Sequence, residues 1–415
     1  MQRILRRLVD VKPGEGRAVA YAFGYFFCVL ASYYVLRPLR EAMGIVGHVK
    51  DLSRLFLVTL AATFALTPVL AALVSRWPPR RFVPIVYRFF ALNLVVFYVF
   101  LRGPHVDTNV ARVFFVWTSV FNLFALSLFW GVIADLFERE QGLRLFGLVG
   151  GGGTLGAMAG SFTTASLAER VGVAPLVLVS AVLLELAVQL VRRLVGLFGD
   201  REASTAAPEQ ALEEGGIVRW LPSLLANPYL LAIVGYMLLF TFTSTSAYFE
   251  QARIVQSAIG TNAARTALFA RMDLVVNILS FALQSLLVGP LLRRLGIGLT
   301  LAILPLLSRV GFVLLGVAPT LAVIVCFQVV RRAADYGIAK PSREVLFTTV
   351  RRHDKYKAKS FIDTFVYRAG DAIGALAVGT FASSTTATIL SIGVCVVWSG
   401  VAIVLGRMQR TLPSL

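Results

Sequence analysis

Apolar residues run along this chain in blocks of about 20, the length that crosses a bilayer as an α-helix, with short polar stretches between them. The blocks predict twelve helices, near residues 18–46, 53–75, 82–102, 110–135, 143–167, 172–195, 228–252, 264–290, 296–317, 319–346, 358–382 and 385–407. Helix is the expected form because backbone amides in lipid must be satisfied within the segment or within a closed barrel. The ten-residue alternation of a membrane barrel is absent. Charged residues interrupt several blocks, so a plain hydropathy window is expected to miss the first, eighth, tenth and eleventh.

One long polar stretch, 196–227, is rich in Ala, Glu, Ser and Pro. It predicts a cytoplasmic linker separating a six-helix bundle at 1–195 from a second at 228–415. After the second block comes Leu73-Val-Ser-Arg76-Trp-Pro-Pro-Arg80, and after the eighth Gly289-Pro-Leu-Leu-Arg-Arg294-Leu-Gly296. A second echo joins Leu136-Phe137 through Gly156-Ala-Met-Ala to Leu346-Phe347 through Gly374-Ala-Leu-Ala. Such repetition marks an internal duplication. The two loops resemble degraded copies of the loop motif of major facilitator transporters. Ser75 and Arg293 stand where that family has an aspartate, and Pro78 where it has a glycine. The resemblance implies an all-α membrane protein of twelve transmembrane helices in two pseudo-symmetric six-helix bundles. It also implies a solute site near mid-membrane.

Composition agrees with lipid as the solvent. The 415 residues are 57% hydrophobic, above the roughly 45–50% of soluble proteins. Forty Lys and Arg against 22 Asp and Glu give a net charge of +18. Most of the excess follows the positive-inside rule. Arg3, Arg6, Arg7, Arg76, Arg80, Arg81, Arg139, Arg144, Arg192, Arg193 and the run Arg351–Lys359 share one side when the N-terminus is inside. Both termini are therefore expected in the cytoplasm of a bacterium, with the chain in its inner membrane. No soluble basic domain remains to bind nucleic acid. The first block is too long for a signal peptide and lacks a cleavage site, so it reads as a retained helix. Cys28, Cys326 and Cys395 lie in apolar runs, and His48, His105 and His353 lie far apart in loops. Neither a disulfide framework nor a metal site is expected, no cofactor is implied, and no nucleophile–base pair suggests an enzyme. The glycine run Gly147–Gly156 lacks the G-K-[ST] ending of a phosphate loop. Gly152, Gly156 and Gly160 instead share one helix face, which suits close helix packing.

Charges inside the blocks carry more information, since each costs about 2.5–3.5 kcal/mol to insert and usually faces a cavity. Arg37 and Arg40 are i,i+3, and Glu41 is i+4 from Arg37, which predicts an Arg37–Glu41 pair and leaves Arg40 the freer cation. Asp335 is i+4 from Arg331, and Asp371 is i+3 from Arg368, so both can pair locally. Arg343, Glu344, Lys359, Asp363, Arg271 and Asp273 complete the set. Cations outnumber carboxylates, and guanidinium forks suit phosphate or carboxylate. A polar interior that binds a small anion is expected, with Arg37, Arg40, Arg343, Lys359 and Arg368 holding the solute. Asp335, Asp363 and Asp371 would pair with them when the site is empty. Asp273 or Glu185 is a candidate proton carrier. Tyr33, Tyr34, Tyr236, Phe240, Phe242 and Tyr248 fit helix packing, or stacking on a base.

Three stretches resemble the nucleotide translocases, the ATP/ADP exchangers of intracellular bacteria and plastids. They are Tyr34-Val-Leu-Arg37-Pro-Leu-Arg40-Glu41, then Leu128-Phe129-Trp130-Gly131 with Arg144-Leu-Phe146-Gly147, and Tyr336-Gly-Ile-Ala-Lys-Pro341-Ser-Arg343-Glu344 continuing through Lys359, Asp363, Arg368 and Asp371. The resemblance implies exchange of a phosphorylated anion by a monomer in lipid. It places the family's substrate-linked lysines at Arg40, Arg343 and Lys359. Pro38, Thr118 and Asp371 replace charged residues of the family and change the charge balance. Efflux or flipping of an amphipathic molecule, and a non-transporting scaffold or sensor, are the competing expectations.

Overall fold

The computed structural model describes residues 11–12, 14–47, 51–77, 79–103, 106–198, 222, 224–350, 357–359, 361–380 and 384–411. Within these, the side chains at 70–71, 73–76, 79–81, 139, 143, 363–364, 380 and 384 are left out of the description. The Leu73–Arg80 loop side chains other than Trp77, all three histidines, the run 351–356 and most of the predicted linker therefore lie outside the described residues. So does the side chain of Asp363.

The described chain is helical, with no strand among the described residues. The helices are α1 (Gly16–Gly44), α2 (Leu52–Arg76), α3 (Pro79–Leu101), α4 (Thr108–Leu136), α5 (Arg139–Val171) and α6 (Ala174–Phe198). They continue as α7 (Pro228–Ala258), α8 (Asn262–Leu286) and α9 (Val288–Val317). Next, α10 runs Leu321–Ala334, widens into a π-turn at Asp335–Ala339 and resumes as Lys340–Leu346. A second π-turn at Ile362–Val366 opens α11 (Tyr367–Thr380), and α12 is Ser384–Thr411. Each overlaps a predicted block, although α9 begins at Val288, ahead of the predicted 296. Ten are long and apolar enough to cross a membrane. The first and eighth pass that measure, contrary to expectation, because their charges are sparse along helices of 29 and 25 residues. The tenth and eleventh fail it, because the π-turns divide them and charges crowd there.

Local chemistry sets the ends. The Asp107 carboxylate accepts from the Asn109 and Val110 amides, and Asn227 accepts from Tyr229 and Leu230 ahead of Pro228 at the first turn of α7. These side chains satisfy amides that a helix start leaves without partners. Glu138 and Gln141 form a reciprocal capping box at α5. Gly296 takes φ 73°, a left-handed conformation that breaks α9 just after Arg293 and Arg294.

Two compact units emerge. One holds Met1–Gly47, Ala61–Ala207 and Gly260–Leu274, and the other His48–Leu60, Pro208–Ile259 and Val275–Leu415. In the first, α1 packs on α4, α5 and α6, while α3 packs on α6. In the second, α7 packs on α10, α11 and α12, while α9 packs on α12. The packing repeats in the same order, as the sequence echoes require. The α1–α5 seam is the tightest: β-carbons on Gly152, Gly156 and Gly160 would collide with the Phe23, Phe27 and Ala31 carbonyls. In the second unit Gly298 and Gly406 bring α9 and α12 backbone to backbone.

At the start of α1, the Glu15 carboxylate accepts from Arg144 and Gln141 at 3.0 Å each and from the Lys12 amide at 2.9 Å. Burial pushes this carboxyl up, but the hydrogen bonds from Arg144, Lys12 and Gln141 outweigh it and hold it below the usual glutamate range.

Candidate functional site

In the first unit the α1 charges find partners other than those predicted. The Arg37 Nε lies 3.7 Å from the Asp273 carboxylate of α8, and its guanidinium donates to the Tyr34 hydroxyl at 3.3 Å. Arg40 donates to Glu41 at 2.8 Å and to Ser119 at 2.9 Å, with its guanidinium 4.1 Å from the Phe115 ring centre. The expected Arg37–Glu41 pair is therefore replaced by Arg37–Asp273 and Arg40–Glu41, and Arg40 is not the freer cation. The reason is tertiary. Arg37 turns toward the buried acid on α8, and Arg40 lies along α4, where Glu41 bends to meet it. Among the described residues, these two arginines form ion pairs with two carboxylates.

The second unit is different. Asp335 accepts from Arg343 at 3.1 Å instead of pairing with Arg331. The π-turn explains this. One turn of about 4.4 residues followed by one of about 3.6 puts positions eight apart on the same face. Arg331, 3% exposed, is held by hydroxyls instead: Ser308 at 3.1 Å, Thr243 at 3.2 Å and Ser244 at 2.9 Å. Its guanidinium carbon is 5.6 Å from the Phe240 ring centre, and that of Arg343 is 4.9 Å from the same ring. A buried and a partly buried guanidinium thus share one aromatic ring, an arrangement favoured by the ring's negative face.

Asp371 turns toward α7, where Thr245 donates to it at 3.5 Å. The predicted Asp371–Arg368 pair does not form, because Gly370 and Gly374 let α11 approach Thr241 and Thr245 closely. Arg368 is half-buried and makes no ion pair among the described residues. Tyr367 lies within electrostatic reach of Arg331, Arg343, Arg368, Asp335 and Asp371, which gathers all five around one phenol. Among the described residues, three arginines therefore face two carboxylates here.

Lys359 is not in this group. It pairs with Glu344 at 2.6 Å in a partly exposed contact near the end of α10. Glu185 also lies apart, on the outer surface of the first unit, in a two-pronged pair with Arg88. Sequence reasoning missed Arg331, which it assigned to Asp335, and Tyr367. The hydroxyl run Thr243-Ser-Thr-Ser246 on α7 was the signal available for Arg331. Tyr236 is fully buried against Trp398 and donates to the Leu301 carbonyl, so it acts in packing.

No family model matches the sequence, and no curated protein matches it. Solved structures match over nearly the whole chain. A bacterial homologue of the iron transporter ferroportin, in an inward-facing state, is 13% identical with a TM-score of 0.67, covering 94% of this chain and 98% of its own. A peptide transporter of the POT family is 13% identical with a TM-score of 0.66, covering 96% and 98%. The xylose transporter XylE from E. coli is 13% identical with a TM-score of 0.59, covering 96% of each. At these identities the likeness is one of fold. The chain is an all-α membrane protein with the major facilitator fold.

Proposed function

We propose that the chain is a secondary active transporter that moves a small anion, bearing phosphate or carboxylate, by alternating access. The observation that carries the reading is the α7–α10–α11 cluster, where Arg331, Arg343 and Arg368 face only Asp335 and Asp371 among the described residues. Surplus buried cations need a counter-charge, and a transported anion supplies one. Arg343 and Arg368 would contact the solute. Arg331, enclosed by hydroxyls behind Phe240, would add field without contact. The resemblance to nucleotide translocases makes nucleotide exchange the first case to test, with both termini facing the cytoplasm.

The test is uptake of labelled ADP into proteoliposomes preloaded with ATP, followed by a panel of phosphorylated and carboxylate solutes. Arg343→Gln and Arg368→Gln should each lower uptake at least tenfold, and Arg40→Ala should have a smaller effect. Failure with nucleotides alone would move the proposal to another anion. Uptake of every transported anion that ignores both substitutions would sink it.

A further inference from the structure

An exposed arginine in each unit is partnered differently. In the first, Arg88 lies on the exposed stripe of α3 beside Ile85, Phe89 and Leu92. Its fork grips the Glu185 carboxylate of α6 at 2.8 and 3.0 Å. In the second unit, Arg309 follows Pro305 of α9 by four residues, as Arg88 follows Pro84 on α3. It lies on an exposed stripe with Leu306, Val310 and Val313 and within electrostatic reach of Cys395 on α12. Neither α9 nor α12 contains an Asp or Glu. Arg309 makes no hydrogen bond or ion pair among the described residues.

Depth makes this costly. Arg309 stands eight residues before the end of α9 at Val317, about 12 Å at 1.5 Å per residue, in a hydrocarbon layer of about 30 Å. Lipid phosphates sit outside that layer. Charges at this depth almost always face a bundle interior or a partner. We propose that the α9–α12 face around Arg309 docks a membrane-spanning helix of another protein that carries a carboxylate near its midpoint. The first unit shows the chemistry that fits: Glu185 does for Arg88 in cis what the partner's acid would do for Arg309 in trans. The surrounding valines and leucines supply the packing surface such a helix needs.

The probe is a labelled leucine–alanine transmembrane peptide with one central Glu, and a matched peptide with Gln. Each is mixed with the full-length chain in neutral phosphatidylcholine liposomes and followed by resonance energy transfer. Saturable transfer should be at least fivefold stronger for the Glu peptide and fall to the Gln level with Arg309→Leu. The two-peptide comparison on unaltered protein does not depend on how the variant folds. Equal transfer from both peptides overturns the proposal. So does loss of the Glu preference on adding phosphatidylglycerol, which would assign the face to lipid phosphate. Arg309-dependent transfer between two labelled copies of the chain would assign it to self-association and likewise overturn the proposal.

Discussion

A buried guanidinium is defined by what neutralises it, and the α10 arginines show how sharply partners are assigned. Arg343 has Asp335, and Arg331, twelve positions earlier, has three hydroxyls. Asp335→Asn should therefore lower stability by about 3–5 kcal/mol, since it strands a buried cation. The double variant Asp335→Asn/Arg343→Gln should recover much of that loss in detergent melting curves; no recovery would contradict the pairing. At the start of α1, the sign of pH dependence is fixed. Because Glu15 sits below its ordinary value of 4.5, its contribution is complete above that pH and disappears as pH falls through the lower folded value. Melting temperature should drop more steeply below pH 4.5 in the natural chain than in Glu15→Gln. The residue types at these sites were legible in the sequence, but several partners were not. An i+4 rule assumes an unbroken α-helix and no competing acid. Asp335 fails the first condition and Arg37 the second.

Among the elements, the glycine seam and the π-turns decide register. Gly152, Gly156 and Gly160 meet α1 carbonyls directly, whereas Gly150, on the same helix, has open space around it. Gly156→Val should cost about 1–3 kcal/mol of stability through overpacking, while Gly150→Val stays within about 1 kcal/mol. Similar losses from both would mean the seam is not specific. The glycine spacing announced this contact in advance, because three small residues at intervals of four can only line one face. The π-turns left no comparable trace. Asp335-Tyr-Gly-Ile-Ala339 reads as ordinary helix, and the extra residue it accommodates is visible only once Gly337 is seen against Ser280 and Leu283 of α8.

For the whole molecule, the long helices among the described residues were readable because hydrocarbon permits few alternatives to helix, and the duplication was readable from paired motifs such as those ending at Gly156-Ala-Met-Ala and Gly374-Ala-Leu-Ala. What the sequence could not apportion was charge between the two units, since that depends on which side chains turn inward. Lys359 and Glu185 count as membrane charges by position, yet one ends near a helix terminus and the other on the outer surface. The resulting imbalance has an electrical consequence. On the proposed reading, a carrier whose empty site holds one more arginine than carboxylate among the described residues would move net positive charge through the field whenever it returns unloaded. Each elementary charge is worth about 2.3 kcal/mol per 100 mV. Net uptake should therefore generate current and respond to an imposed potential, whereas one-for-one exchange of identical anions should be nearly silent and faster. Arg368→Gln, by cancelling the surplus, should free the empty carrier from voltage even as it weakens solute binding.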